Sequence, residues 1–522
     1  MNRVWSRPGG VGTRFRVARQ DLATVALFFT LAVVVGVIAA WSPTIAVGLA
    51  SIGAFAGLLT LGKRLTALFL VLMPGLLLGY ALLDRTFAYV GVYPIFVSEV
   101  VLLVAALHLV VARRQLRLTW LHWLMVAFMT WGLLRTLPFV ERDGINALRD
   151  GTLWAYGLFA LALAAAIRPE HFPRITSIYG RAIPVFLVWA PVALLVARLY
   201  ENQVPTIFGT NVSILALKSG DIGVHLAGIA AFFMVGLTWE RLRRPVIEVL
   251  MWAMWVLVVG IVGSANRASM LAAGTAAVSW AFFWPAPARV WRFGLGLTIA
   301  VALAVSVPQT DIGQVAVGFQ RSLSLEQVVR NVESIVVDTG AIELEGTKIW
   351  RTQWWNAIID YTINGPFLWT GKGFGVNLAD DDGFQVDTEG GTLRSPHNSH
   401  LTVLARMGLP GLVLWVLLQA GFGLSLIWAY FRARRRGATF WCQIDIWLFI
   451  YWLAMIINAS FDVFFEGPQG GIWFWSIFGL GLAAIGIQRS LFDDAERARE
   501  IDDVPSAATL RPGFRGRAPA SR

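Results

Sequence analysis

Charge is scarce in this 522-residue sequence: 14% of its residues are Asp, Glu, Lys or Arg, against 57% that are hydrophobic. That balance leaves too little polar surface for water-soluble domains, and it excludes collagen-like or disordered character for the body of the chain. Cysteine is almost missing. Cys442 stands alone, so neither an internal disulfide nor a cysteine-built metal cluster can form. A nucleotide phosphate loop is also lacking, because "GKGFG" at residues 371–375 does not have the G-x-x-x-x-G-K-[ST] spacing. No repeat of fixed period is visible.

What the sequence does have is a series of long apolar runs, each able to cross the roughly 30 Å hydrocarbon layer of a bilayer as a helix. We expect an all-α polytopic membrane protein with about fourteen transmembrane helices and one large outer loop. The runs lie near 22–41, 44–61, 65–83, 95–112, 120–138, 151–167, 182–199, 222–239, 246–263, 268–285, 293–309, 409–430, 442–460 and 472–488. The organisation expected is a basic head (1–21), an eleven-helix membrane bundle (22–309), an outer loop (310–400), a three-helix segment (401–488) and a charged tail (489–522) that ends in disorder.

The placement of cations supports this layout, because short loops rich in Lys and Arg stay in the cytoplasm during insertion. Of the 43 Lys and Arg residues, 29 fall in alternate loops and at the two ends, including Arg113, Arg114, Arg243, Arg244 and the cluster Arg432, Arg434, Arg435, Arg436. Both termini are therefore expected in the cytoplasm. The net charge of +11 is distributed as a topology signal, not gathered on one face, which removes nucleic acid as a partner. The first apolar run follows basic residues without a small-residue cleavage pattern, so it reads as a retained helix.

The segment from about 310 to 400 breaks the pattern, on the side opposite the basic loops. In "IWRTQWWNAIIDY" (349–361), Trp350, Trp354, Ile358 and Tyr361 follow helical spacing and form an aromatic stripe suited to the membrane surface. Asp380, Asp381, Asp382, Asp387 and Glu389 offer oxygen ligands, but without the alternation of a calcium loop, so a solvated acidic loop is the better reading. We expect no metal. His397, in "RSPHNSH", precedes an apolar helix on the outer side, where an imidazole can exchange a proton. His400 lies one helical turn on. Arg267 in "GSANRAS" and Arg351 offer forked donors for phosphate oxygens, with headgroup binding as the plainer alternative. Arg149, Arg321 and Arg394 are weaker candidates of the same kind.

In these residues the chain resembles the O-antigen ligases and O-antigen polymerases, integral-membrane glycosyltransferases with a GT-C-like architecture. "PHNSHLTVLARMGLPGLVLW" (396–415) is similar to the family's His-Asn, helix, Gly-x-x-Gly stretch. "GSANRASMLAA" (263–273) resembles its small-residue and Arg segment, and "RTQWWNAIIDYTINGPFLWTGKGFG" (351–375) its Arg, Trp, Gly-x-Gly stretch. His400 and Arg406 depart from the pattern, standing where an aromatic and an acidic residue are common. The resemblance covers roughly residues 220–430. It implies that His397, with Asn398, acts on an acceptor hydroxyl, and that Arg267 and Arg351 hold the diphosphate of an undecaprenyl-linked glycan. His400, Arg394 and Arg149 are secondary candidates. The acceptor would be a glycan, lipid A core or a protein hydroxyl. The implied setting is the bacterial inner membrane, in contact with lipid, without a cofactor or metal.

A lipid-linked oligosaccharide flippase or polysaccharide transporter is the alternative from another class, and a non-catalytic envelope scaffold is a third. Internal repeats would favour transport. A long outer segment bearing a histidine favours the enzyme.

Overall fold

A computed structural model describes residues 64–112, 116, 118–200, 203–210, 212–237, 244–282, 287–306, 342–388 and 391–502. The first helix, α1, runs Arg64–Tyr89 and ends in a 3-10 turn. The hairpin of β1 (Gly91–Val92) and β2 (Ile95–Phe96), with Gly91 opposite Phe96, leads into α2 (Val97–Ala112). Next come α3 (Trp120–Asp143), α4 (Ile145–Asp150), α5 (Thr152–Ala155), α6 (Gly157–Ala166) and α7 (His171–Leu199). The middle of the chain holds α8 (Ser219–Val235), α9 (Pro245–Ala265), α10 (Arg267–Gly274), α11 (Ser279–Phe282) and α12 (Pro287–Ser306). After them come α13 (Ile342–Ile359), α14 (Leu378–Asp382), the hairpin β3 (Asp387–Thr388) with β4 (Gly391–Thr392), α15 (Ser399–Arg435), α16 (Thr439–Ala459) and α17 (Pro468–Asp502).

Among the described residues, seven helices are long and apolar enough to cross a membrane: α1, α3, α7, α9, α15, α16 and α17. Along their middles, apolar side chains are exposed. Leu133, Leu134 and Leu137 on α3, Val185, Val188 and Val192 on α7, and Val416, Leu424 and Trp428 on α15 all point outward, an arrangement stable only against lipid. The protein is an all-α membrane protein. α16 and α17 form its centre, with Trp447, Tyr451, Trp475 and Phe478 almost wholly buried and Phe422 of α15 stacked on Phe478 at 3.9 Å between ring centroids.

Several expected spans take a different form. Residues 151–167 divide into α5 and α6, and residues 268–285 begin as the separate helices α10 and α11, joined by a 3-10 turn. α2 and α8 are apolar but short. The runs 22–41 and 44–61 lie outside the described residues, as do the head, Arg321, Glu389 and residues 503–522. The tail expected from 489 starts as a continuation of α17 to Asp502, and Arg432 of α15 and Arg436 just after it pair with its Asp493 and Glu496.

The sharpest local feature is a break inside α15. Gly408 has φ 65° and ψ −170°, a conformation closed to residues with a side chain, and Pro410 two residues on has no N–H to continue the ladder. The loop after α13 packs into this break. Lys372 N donates to Ala405 O at 2.7 Å, Gly373 N to Arg406 O at 3.1 Å and Leu409 N to Leu368 O at 2.7 Å. A Cβ on Gly371 would lie 2.4 Å from the Arg406 carbonyl carbon. Gly371 therefore serves a close approach of two backbones, while Gly373 and Gly375 leave room for the side chains of Phe139 and Asp143.

The acidic stretch is pinned at Asp382, while Asp380 and Asp381 remain exposed to solvent. Lys372 Nζ pairs with Asp382 at 2.5 Å and with Asp381 at 2.6 Å, and Trp354 Nε1 donates to Asp382 Oδ2 at 2.7 Å. Among the described residues, no group of three or more His, Cys, Asp or Glu side chains is placed to hold a metal ion.

Candidate functional site

His397 sits just before α15 with φ 52°, a left-handed backbone that is uncommon for a residue with a side chain. Three neighbours impose it. Asn398 caps α15, its Oδ1 accepting from His400 N and Leu401 N at 3.1 Å each. Trp355 of α13 donates its Nε1 to Pro396 O at 2.8 Å. Ser399 Oγ donates to Glu466 Oε2 at 2.8 Å and accepts from Phe464 N at 3.1 Å, which ties the start of α15 to the loop between α16 and α17.

That loop carries Asp462, whose Oδ1 lies 3.6 Å from His397 Nδ1. The same carboxylate receives Lys218 Nζ at 3.2 and 3.3 Å, and Val463 N at 2.8 Å. Burial acts against the charge on Asp462, but Lys218 and His397 outweigh it and hold the carboxyl well below its ordinary range. For His397, burial lowers the pKa below the usual 6.5. Asp462 opposes that shift, while Arg351 and Lys218 reinforce it. Glu466 moves the other way, raised by burial against the pull of Ser399 and Thr402.

Arg351 reaches this point directly, with Nη1 donating to Phe461 O at 3.1 Å beside Asp462. Arg267 opens α10 behind its cap Asn266, whose side chain accepts from Ala268 N at 2.8 Å. Ser269 presses on Gly223 of α8, and one turn earlier Gly220 lies against Asn458 and Asp462. The structure thus gathers His397, Arg351, Asp462 and Lys218, with Arg267 on the adjacent α8–α10 seam.

Of the secondary candidates, His400 and Arg394 are engaged elsewhere. His400 Nδ1 accepts from Trp415 Nε1 at 3.0 Å, which leaves Nε2 as the proton-bearing nitrogen, 3.1 Å from Ile456 O. Both its nitrogens are used inside the bundle. Arg394 Nη2 pairs with Asp150 at 2.9 Å, and Arg406 Nη2 binds the same oxygen at 3.0 Å. Gly375 N adds a third bond to that oxygen, at 3.1 Å. The side chain of Arg149 is exposed on α4. Asn398 has its carbonyl oxygen committed to the cap.

The remaining histidines are ordinary by comparison. His122 Nδ1 accepts from Thr119 N, His171 Nδ1 from Arg168 N, and His225 Nδ1 meets Tyr451 Oη at 2.6 Å. His397 instead faces a carboxylate, that of Asp462.

The chain carries an O-antigen ligase domain. Residues 252–416 match that family's model, a stretch that includes Arg267, Arg351, His397 and Asn398. No curated protein matches the chain. The match covers about a third of the chain and supports a membrane protein similar to the O-antigen ligases and polymerases, one that transfers glycan in general terms.

Asp462 and Lys218 lie outside the matched stretch of the O-antigen ligase domain. Both escaped the sequence reading. The available signal was weak: an acidic residue just past a span, and a lysine just before one, on the side otherwise poor in charge.

Proposed function

We propose that this O-antigen ligase family protein transfers glycan from undecaprenyl diphosphate to an acceptor hydroxyl on the periplasmic face of the bacterial inner membrane. The observation that carries the reading is the orientation of His397. With Nδ1 toward Asp462, Nε2 is the nitrogen left to face an acceptor, the division of labour seen wherever a carboxylate orients a catalytic imidazole.

In the proposed step, Nε2 takes the acceptor proton as the acceptor oxygen forms a bond to the anomeric carbon. The bond from that carbon to the diphosphate oxygen breaks, and its electron pair leaves with the carrier. Arg351 and Arg267 neutralise the charge that grows on the leaving diphosphate. The imidazolium then returns its proton to water. Asp462 fixes the ring and stabilises the imidazolium, and Asn398 sets the chain direction at the base by capping α15.

On this reading both termini are cytoplasmic, since the basic residues Arg432, Arg434, Arg435 and Arg436 lie at the end of α15 opposite His397. We favour the polymerase or exopolysaccharide role over lipid A core ligation, on the breadth of the family. The test is complementation of a deletion strain with His397→Ala, Arg351→Ala and Arg267→Ala, reading envelope glycan chain length on gels. Single capped units without long chains would indicate polymerisation, and free long polymer without attachment would indicate ligation. Unchanged glycans in all three strains would sink the site and leave transport as the stronger reading.

A further inference from the structure

The proposed chemistry needs an imidazole that is uncharged when the acceptor arrives. A carboxylate 3.6 Å away works against that, because it stabilises the protonated ring. The structure contains a counterweight in Lys218. Its backbone N–H is fixed by Asp84 Oδ2 at 2.5 Å, and its Nζ lies 3.2 and 3.3 Å from the two oxygens of Asp462 and 3.4 Å from Val463 O. The lysine is therefore not a floating surface charge. It is anchored at both ends, and its ammonium engages the carboxylate that also faces His397.

We propose that Lys218 is a positioning residue for glycan transfer: by sharing both oxygens of Asp462, its ammonium keeps that carboxylate from locking His397 as an imidazolium, so that the ring remains a base. The proposal rests on the glycan-transfer reading above and adds a residue from outside the matched domain.

Among the described residues, three charged groups act on His397. Arg351 faces it from α13, Asp462 from the loop between α16 and α17, and Lys218 from the segment before α8. Asp84 and Asp221 lie behind Lys218, and Arg85 acts on both. Removing the Lys218 ammonium has two effects of the same sign. Asp462 is left with His397 as its main cationic partner, and a positive charge facing the imidazole disappears. Each favours protonation of the ring.

The test uses the full chain in lipid vesicles and reads His397 directly. Diethyl pyrocarbonate modifies neutral imidazole, so the rate at His397 against pH, followed by peptide mass spectrometry, gives its protonation midpoint without reference to transfer. In Lys218→Met the midpoint is expected to rise by about one pH unit. Lys218→Arg restores it, and the double variant Lys218→Met/Asp462→Asn brings it back down. The double variant also removes the buried unpaired carboxylate that threatens folding of the single one. With transfer as readout, Lys218→Met loses up to about threefold in kcat at pH 7 and approaches a tenfold loss only as pH falls below the wild-type midpoint, keeps KM, and recovers as pH is raised. A midpoint unmoved in Lys218→Met, or moved equally in Lys218→Arg, overturns the proposal. A midpoint that shifts as expected while His397→Ala retains transfer overturns the catalytic use of the ring, and with it the role assigned to Lys218.

Discussion

Trp355 and Pro396 are joined by a hydrogen bond from the indole Nε1 to the proline carbonyl, 2.8 Å long and spanning 41 residues of sequence. It fixes the peptide that enters His397, whose left-handed backbone costs roughly 1–2 kcal/mol and persists only when its surroundings impose it. Trp355→Phe keeps the ring and deletes the donor. The expected loss is about 1 kcal/mol in the placement of the imidazole, seen as a five- to tenfold fall in kcat with KM and expression unchanged. A variant with full activity would show that Asn398 and Ser399 suffice to hold the residue.

Transfer has a pH dependence whose sign follows from His397. Its pKa is lowered by burial, with Arg351 and Lys218 adding to the effect, so the neutral base predominates at pH 7 and activity falls as pH drops through a value below 6.5. The same shift affects stability. The unfolded chain binds the proton at this residue more readily than the folded one, so folded-state stability declines as pH falls below about 6.5 and is not affected by this group above it. A rate profile whose acid limb lies above 6.5 would contradict the assignment of His397 as base.

Asp150 binds Arg394, Arg406 and Gly375 N through one oxygen, and Arg406 is almost wholly buried. Asp150→Ala leaves that guanidinium without its carboxylate. A loss of about 3–5 kcal/mol is expected, visible as a lower melting temperature in detergent. The neighbouring exposed Arg149→Ala should stay within about 0.5 kcal/mol of wild type, and it would lose activity only if Arg149 contacts substrate.

Gly408→Ala places a Cβ 2.7 Å from Leu368 O at a backbone angle that alanine does not adopt. The packing of residues 368–373 against α15 is expected to open, with destabilisation of about 2 kcal/mol or more and increased protease cleavage near residue 370. Gly383, which has a positive φ but open space around it, makes a milder comparison.

How legible all this was in the sequence depends on the kind of signal. The membrane class followed from long apolar runs, and Arg351 and His397 were singled out by residue type and by their place on the outer side. The break at Gly408 was not read, because its cause is the approach of residues 368–373, about 35 positions upstream. The pairing of Lys372 with Asp381 and Asp382 spans only 9 and 10 residues, but it depends on a loop conformation that residue spacing does not show. Asp462 and Lys218 are 244 residues apart, and only the packing of α8 against α16 makes them neighbours. His400 was over-read: spacing placed it near His397, but Trp415 and Ile456 claim both of its nitrogens.

The interruption at Gly408 also decouples two mechanical tasks. Beyond it, α15 has the length of a full crossing and must adjust its tilt to whatever bilayer thickness surrounds it. Residues 399–407 are anchored instead to α13 and to the loop before α17, by way of Trp355, Ser399 and Glu466. A change of tilt in the longer part would therefore bend the helix at the glycine and spare the position of the imidazole.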